Sequence, residues 1–181
     1  MAQLKLLTIS GSLRKGSFNR MLLTEAVAAF GDADHTDADL HLPLYDGDLE
    51  DAEGVPSAVQ TLADQIAAAD AVVISAPEYN KGISGVLKNA LDWVSRTESN
   101  PWANKPTVVM SAAAGRTGGE TQLFMTMQCL AQLQVHLVPG PGIMVAGAFD
   151  AFDDDGRLKA DSYREALAKR MALLRAEITS S

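Results

Sequence analysis

Residues 10–20 read Ser-Gly-Ser-Leu-Arg-Lys-Gly-Ser-Phe-Asn-Arg, a run whose side chains suit an anion. Serine hydroxyls, the Arg14 guanidinium, the Asn19 amide and flexible glycines stand just ahead of an apolar repeat at helical spacing. A helix start adds N–H groups that lack intrahelical acceptors and lie at the positive end of the dipole, so a phosphate is the natural guest. Two nucleotide motifs are excluded. Gly11 and Gly16 have the spacing of a P-loop, but Ser17-Phe18 stands where Lys-Ser/Thr is required. The dinucleotide fingerprint fails as well, because Leu13 occupies its second glycine position. A purely structural reading, with Ser17 capping the helix, uses only one of these polar residues.

A second group lies at 76–85, Ala-Pro-Glu-Tyr-Asn-Lys-Gly-Ile-Ser-Gly. Pro77 restricts the backbone, and Tyr79 beside Asn80 offers an aromatic wall and a hydrogen-bonding edge for a flat heterocycle. Trp93, in the apolar series of the helix that follows, reads as a packing residue.

These loops need a scaffold that brings them together. Apolar runs predict strands at 4–9, 38–42, 71–75, 106–111 and 135–138. Between and after them, apolar residues at helical spacing predict helices, the first from 17 or 18 to about 30 and the last over roughly 162–178. Ser57 is a candidate N-cap for the helix carrying Val59, Leu62 and Ile66. Five strands alternating with five helices imply right-handed βαβ units and a parallel sheet. The expected fold is a flavodoxin-like α/β three-layer sandwich of strand order 2-1-3-4-5, formed by residues 1–181 as a single domain. Ligands then bind beyond the carboxyl ends of the strands, near the switch between the first and third. Only the tail 179–181 reads as frayed.

With both loops in order on such a scaffold, the chain resembles the NADPH-dependent FMN reductases, which include quinone, chromate and azo-dye reductases. The resemblance rests on Gly-Ser-Leu-Arg-Lys-Gly-Ser-Phe-Asn after the first strand, and on Pro-Glu-Tyr-Asn and Leu-Lys-Asn-Ala-Leu-Asp-Trp after the third. It extends to Pro43-Leu44-Tyr45-Asp46 and to 152–158. It implies that Ser12, Arg14, Ser17 and Asn19, with Phe18 among them, hold the phosphate of FMN. Pro77, Glu78, Tyr79 and Asn80 then lie along the isoalloxazine, partly through backbone groups. The loop 111–119, including Ser111 and Gly115, closes the ring's other side. NADPH or NADH is the implied co-substrate, with hydride passing to flavin N5 and then to a quinone, flavin, chromate or azo-type acceptor. No side chain need act as acid or base, so no catalytic residue is assigned. A homodimer or homotetramer is also implied.

Composition limits the other classes. The chain has 181 residues, 47% apolar and 21% charged, with 23 acids against 15 bases and a net charge of −8. That balance argues against nucleic-acid binding, which relies on neutralising cations. No apolar run approaches the ~18 residues of a membrane span, so a soluble, cytoplasmic protein is expected. The one cysteine, Cys129, excludes an internal disulfide and reads as a packing residue. His35, His41 and His136 lack metal-ligand spacing. The acids at 153–155 before Gly156 fail as a calcium loop, because Ala151 and Ser162 fall on ligand positions. Asp46, Asp48, Glu50 and Asp51 read as surface. A flavodoxin-type electron carrier is the alternative function, but its phosphate loop is threonine- and glycine-rich where this one has Arg14. A receiver domain needs acids at Ser10-Gly11-Ser12 and an aspartate after the third strand, and neither is present.

Overall fold

The computed structural model describes residues 3–179. Six strands form one parallel sheet: β1 (Lys5–Ser10), β2 (Asp34–Asp37), β3 (Ala71–Ser75), β4 (Pro106–Ala112), β5 (His136–Leu137) and β6 (Ile143–Val145). The order is β2-β1-β3-β4-β5, and β6 also pairs with β4. The helices are α1 (Phe18–Phe30), α2 (Gly47–Glu53), α3 (Ser57–Ala68), α4 (Gly85–Val94), α5 (Glu120–Gln132), α6 (Ala148–Ala151) and α7 (Asp161–Thr179). No described helix is long and apolar enough to cross a membrane.

Side chains alternate across the central strands. Leu6, Val73, Val108 and Met110 face a core closed by α1 and α7, whereas Leu7, Val72, Ile74 and Val109 face one closed by α3, α4 and α5. Coverage on both faces explains why β3, Ala-Val-Val-Ile-Ser, is apolar along nearly its whole length and buried at every position. Each such Leu, Ile or Val contributes roughly 1.5–3 kcal/mol by leaving water.

The strand order follows the expectation, and two strands differ in detail. The second strand is Asp34–Asp37 rather than 38–42. Its residues are all exposed, because it is the sheet edge. Its register is set by the backbone bonds Asp34 N–H to Leu4 O (2.7 Å) and Ala38 N–H to Thr8 O (2.9 Å). The apolar residues that suggested 38–42, Ala38 and Leu40, are buried against the α3–α4 face in a segment outside the sheet. The last strand is broken in two, since Pro139-Gly140-Pro141-Gly142 loops away from β4 before Ile143 rejoins it.

Two short helices were not anticipated. Asp46 caps α2 by accepting from Asp48 N–H (3.0 Å). Glu50 is not a free surface acid: its carboxylate accepts from Arg96 Nε (3.0 Å) and Tyr45 Oη (3.0 Å). The Arg96 bonds hold its pKa low against a smaller opposing effect of burial. Tyr45 meets Trp93 edge-on at 5.0 Å, and Trp93 Nε1–H donates to Pro43 O (2.8 Å). Trp93 is thus a packing residue that straps the segment after β2 onto α4. Cys129 is partly buried against the α3–α4 core. Thr179 ends α7, and the other two residues of the expected frayed tail, Ser180 and Ser181, lie outside the described residues.

Candidate functional site

Parallel register aligns the carboxyl ends of three strands: Ser10 pairs with Ser75 and Ser75 with Met110. Beyond them the loops after β1, β3 and β4 meet in an open cleft of about 600 Å³. It lies where β2 and β3 flank β1, the position at which such sheets bind ligands.

Gly11 sets how closely the first two loops approach. A Cβ there would lie 2.4 Å from Ala76 Cβ, so a side chain would push the loops apart. Gly11 N–H donates to Ser75 O (2.9 Å), and Ser84 Oγ donates to Gly11 O (2.7 Å). Ser84 also caps α4 through Leu87 N–H (3.2 Å). One buried hydroxyl therefore anchors both the first loop and the helix after the second.

The first loop presents unspent donors. Ser12 Oγ accepts from Arg14 N–H (3.4 Å) and Ser17 Oγ from Asn19 N–H (3.2 Å). Both hydroxyls act as acceptors in these bonds, so both keep a hydrogen to donate. The Arg14 side chain is exposed and stands at the cleft. Asn19 is engaged differently. Its Oδ1 accepts from Ala112 N–H (2.9 Å) and Ser75 Oγ (2.8 Å), and its Nδ2 donates to Ala112 O (2.9 Å). Both oxygen lone pairs are used, leaving a single amide hydrogen for any ligand. Asn19 lines the cleft chiefly as the tie between α1 and the ends of β3 and β4.

The second loop is a tight reversal. Tyr79 and Gly82 exchange backbone bonds of 3.2 and 3.0 Å, and both central residues have positive φ, Asn80 at 51° and Lys81 at 63°. This is the type I′ pattern, which asparagine tolerates and lysine does not favour. Lys81 is held there by an ion pair with Glu78 (3.0 Å). The other carboxylate oxygen of Glu78 accepts from Thr121 N–H (3.1 Å) and Gln122 N–H (3.4 Å) at the start of α5. Burial pushes the Glu78 pKa up, but Lys81 and the two N–H groups outweigh it and hold the carboxyl below its ordinary value. Glu78 is thus a clamp between the loop and α5, and Tyr79 stands half exposed at the cleft.

The third loop packs backbone on backbone. A Cβ at Gly118 (φ 62°) would meet Met144 C at 2.6 Å, and one at Gly119 (φ 91°) would meet Ser111 Oγ at 2.0 Å. Ser111 is fully buried and donates to Ala76 O (2.9 Å).

Of the sequence-derived candidates, Ser12, Arg14, Ser17, Phe18, Asn19, Pro77, Glu78 and Tyr79 line the cleft. Asn80, Ser111 and Gly115 do not. Asn80 is at the turn tip, Ser111 is beneath the loop, and Gly115 is at its outer bend, where its carbonyl accepts from Gly118 N–H (3.2 Å). The cleft adds Ala112, Ala113, Ala114 and Phe149. Phe149 sits on α6 and meets Phe18 edge-on at 5.3 Å, yet it is 71% exposed. No local signal marks it, because its place at the cleft depends on β6 pairing with β4. Ser84 and Gly119 were likewise invisible as position-setting residues.

The residues present fit a flat, phosphorylated heterocycle. Hydroxyl hydrogens, a guanidinium and a helix start gather at one end, and Pro77, the alanines and two phenylalanines supply an apolar bed. Residues 4–150 match the family model of the NADPH-dependent FMN reductases. An NAD(P)H-dependent FMN reductase of Pseudomonas aeruginosa is 41% identical over 173 residues, covering 94% of this chain and 93% of that protein. A quinone reductase of Escherichia coli K12 is 39% identical over 145 residues, 78% of this chain and 77% of its own. Among solved structures, the flavoenzyme NAD(P)H:(acceptor) oxidoreductase FerB of Paracoccus denitrificans superposes with a TM-score of 0.87 at 25% identity. That alignment covers 99% of this chain and 98% of FerB.

Proposed function

Because the chain belongs to the NADPH-dependent FMN reductase family and is a flavin-dependent NAD(P)H oxidoreductase, we propose that FMN lies in the cleft at the β1–β3 switch. In this reading its phosphate rests on the loop 12–17 and its ring between 77–79 and 112–114. The observation that carries this orientation is the pairing of the unspent Ser12 and Ser17 hydrogens with Arg14 at the start of α1. Charge-assisted hydrogen bonds of that kind are the strong ones. Ser12 and Ser17 donate to phosphate oxygens, and Arg14 closes over them from solvent. Pro77 and Ala112–114 bed the ring; Ala112 N–H and Ala113 N–H are spent on Asn19 Oδ1 and Val145 O, so Ala114 N–H is the backbone donor there for negative charge on it. Bound FMN supplies the redox chemistry, taking hydride from NADPH or NADH and reducing a small acceptor.

Tyr79 forms the exposed wall, where nicotinamide and acceptor take turns over one face. An open wall of that kind discriminates weakly between flat acceptors, so quinone, flavin, chromate and azo-type compounds are all admitted. The quinone reductase of E. coli makes quinones the first class to assay. The reading also includes work in the cytoplasm as a homodimer or homotetramer. It is supported by the lone Cys129, by exposed Tyr79 at the cleft, and by exposed Phe124 and Met125 on α5.

The test is a visible spectrum of the purified protein before and after anaerobic NADPH. A flavin spectrum that bleaches is the expected result. A bound flavin that neither NADPH nor NADH bleaches would return the electron-carrier reading. A colourless protein that FMN cannot reconstitute would overturn the assignment of the cleft.

A further inference from the structure

A second cavity, of about 530 Å³, lies between the carboxyl ends of β1 and β2 and the first turns of α1. It shares no lining residue with the flavin cleft, yet the two draw on neighbouring positions of one loop and helix. Ser10, Arg20 and Thr24 line the cavity, and Ser12, Ser17 and Asn19 line the cleft. Its walls are polar apart from Leu23 and Ala38.

Most of those polar groups are spent. Ser10 Oγ donates to Ser12 O (3.1 Å) and Thr24 Oγ1 to Arg20 O (3.2 Å). Thr8 Oγ1 donates to Asp37 Oδ1 and therefore accepts from His35 Nε2 (2.9 Å). Two charged groups remain available. The Arg20 guanidinium makes no hydrogen bond or ion pair with any described residue. Its Nε is buried, but the side chain is partly exposed, and its Nη groups are the part that meets the cavity. Asp37, 69% exposed at its side chain, pairs with His35 through Oδ1, which leaves Oδ2 without a partner. Asp39 pairs with His41, so neither acid neutralises Arg20.

A ligand that suits both groups brings an anion for the guanidinium and, beside it, a hydroxyl donor for the carboxylate. A bare anion would be opposed by Asp37, and a neutral sugar would leave Arg20 as it was. In parallel α/β sheets an acid after the second strand meets a ribose hydroxyl, and a nearby arginine takes a phosphate on that ribose. We propose that this cavity binds a ribose phosphate monoester, its phosphate on the Nη groups of Arg20 and its free hydroxyl on Asp37 Oδ2. On the reading that NAD(P)H reduces the bound flavin, the ester is the adenosine 2′-phosphate of NADPH. The dinucleotide then crosses the first loop with its nicotinamide over the flavin, and Arg20 sets a preference for NADPH over NADH.

The test titrates the FMN-loaded protein calorimetrically with 2′,5′-ADP and with 5′-AMP, which differ only in the 2′-phosphate. Loaded FMN keeps both probes off the flavin phosphate loop. 2′,5′-ADP should bind about tenfold or more tightly than AMP, and Arg20→Gln should abolish that difference while the flavin spectrum is retained. In steady-state assays with benzoquinone, 2′,5′-ADP should compete with NADPH. Arg20→Gln should lower the NADPH-to-NADH ratio of kcat/KM about tenfold or more, mainly through the KM for NADPH. Arg20-dependent binding of 2′,5′-ADP without competition would uphold the ribose phosphate site and make its source a free ribonucleotide. Equal binding of the two probes, or a 2′,5′-ADP affinity that survives Arg20→Gln, would overturn the proposal. A holoprotein that oxidises neither NADPH nor NADH would instead overturn the reductase reading, and the titration, which needs no turnover, still decides this site.

Discussion

Asn19 and Ala112, 93 residues apart, are joined by two hydrogen bonds: the side-chain amide of one matches the backbone N–H and C=O of the other, each at 2.9 Å. Ser75 Oγ adds a third bond to the same amide. A single buried side chain therefore fixes the start of α1 against the ends of β3 and β4, the three elements that carry the cleft. Asn19→Asp replaces the Nδ2 donor with an oxygen facing Ala112 O and buries a charge. A loss of about 2–4 kcal/mol in urea unfolding is expected, with weaker FMN binding as a consequence. A variant of unchanged stability would show that the tie is dispensable.

Arg14 should behave in the opposite way. It is exposed and spends its guanidinium on no structural contact, so Arg14→Ala should leave the unfolding midpoint of the FMN-free protein unchanged. FMN affinity should fall about 10–100-fold, the worth of one charge-assisted phosphate contact. Fluorescence titration at two salt concentrations measures this, and the salt dependence should flatten in the variant.

Gly11→Ala tests loop spacing. The added methyl would stand 2.4 Å from Ala76 Cβ, so the loops after β1 and β3 must separate. A destabilisation of about 1–3 kcal/mol is expected from overpacking, together with loss of flavin at purification. Gly16→Ala is the control, because nothing lies within 4 Å of a Cβ there.

Glu78 predicts a pH effect of definite sign. Its folded pKa lies below the ordinary value of 4.5, so its stabilisation is complete above that pH and is lost as pH falls through the lower, folded value. Exchange protection at Thr121 and Gln122, measured against the intrinsic rate at each pH, should therefore fall only in that acidic window. Glu78→Gln should lose the Lys81 ion pair, lower that protection at neutral pH, and leave it independent of acid.

Much of this architecture was legible from local pattern. The continuous apolar run of β3, the Ser17 cap and the serine–arginine loop are one-dimensional signals, because burial on both faces and helix capping each demand particular residues at particular spacings. The polar edge strand Asp34–Asp37 was not legible, since an edge strand buries little and is held by backbone bonds that any sequence can make. Asn19 illustrates the same limit within the site: its residue type suits a phosphate equally well, and only the position of Ala112 shows where its amide is spent.

The amino-acid sequence by itself determined the parallel α/β order, the cleft at the β1–β3 switch and the donors after β1, because each follows from periodicity or from side-chain chemistry within a few residues. The tertiary structure alone decided which of those donors remain free, how Phe149 reaches the cleft, and that Arg170 of α7 is buried with its Nη2 on Val138 O. Those outcomes depend on contacts between residues far apart in the chain, and no local pattern encodes who meets whom across that distance.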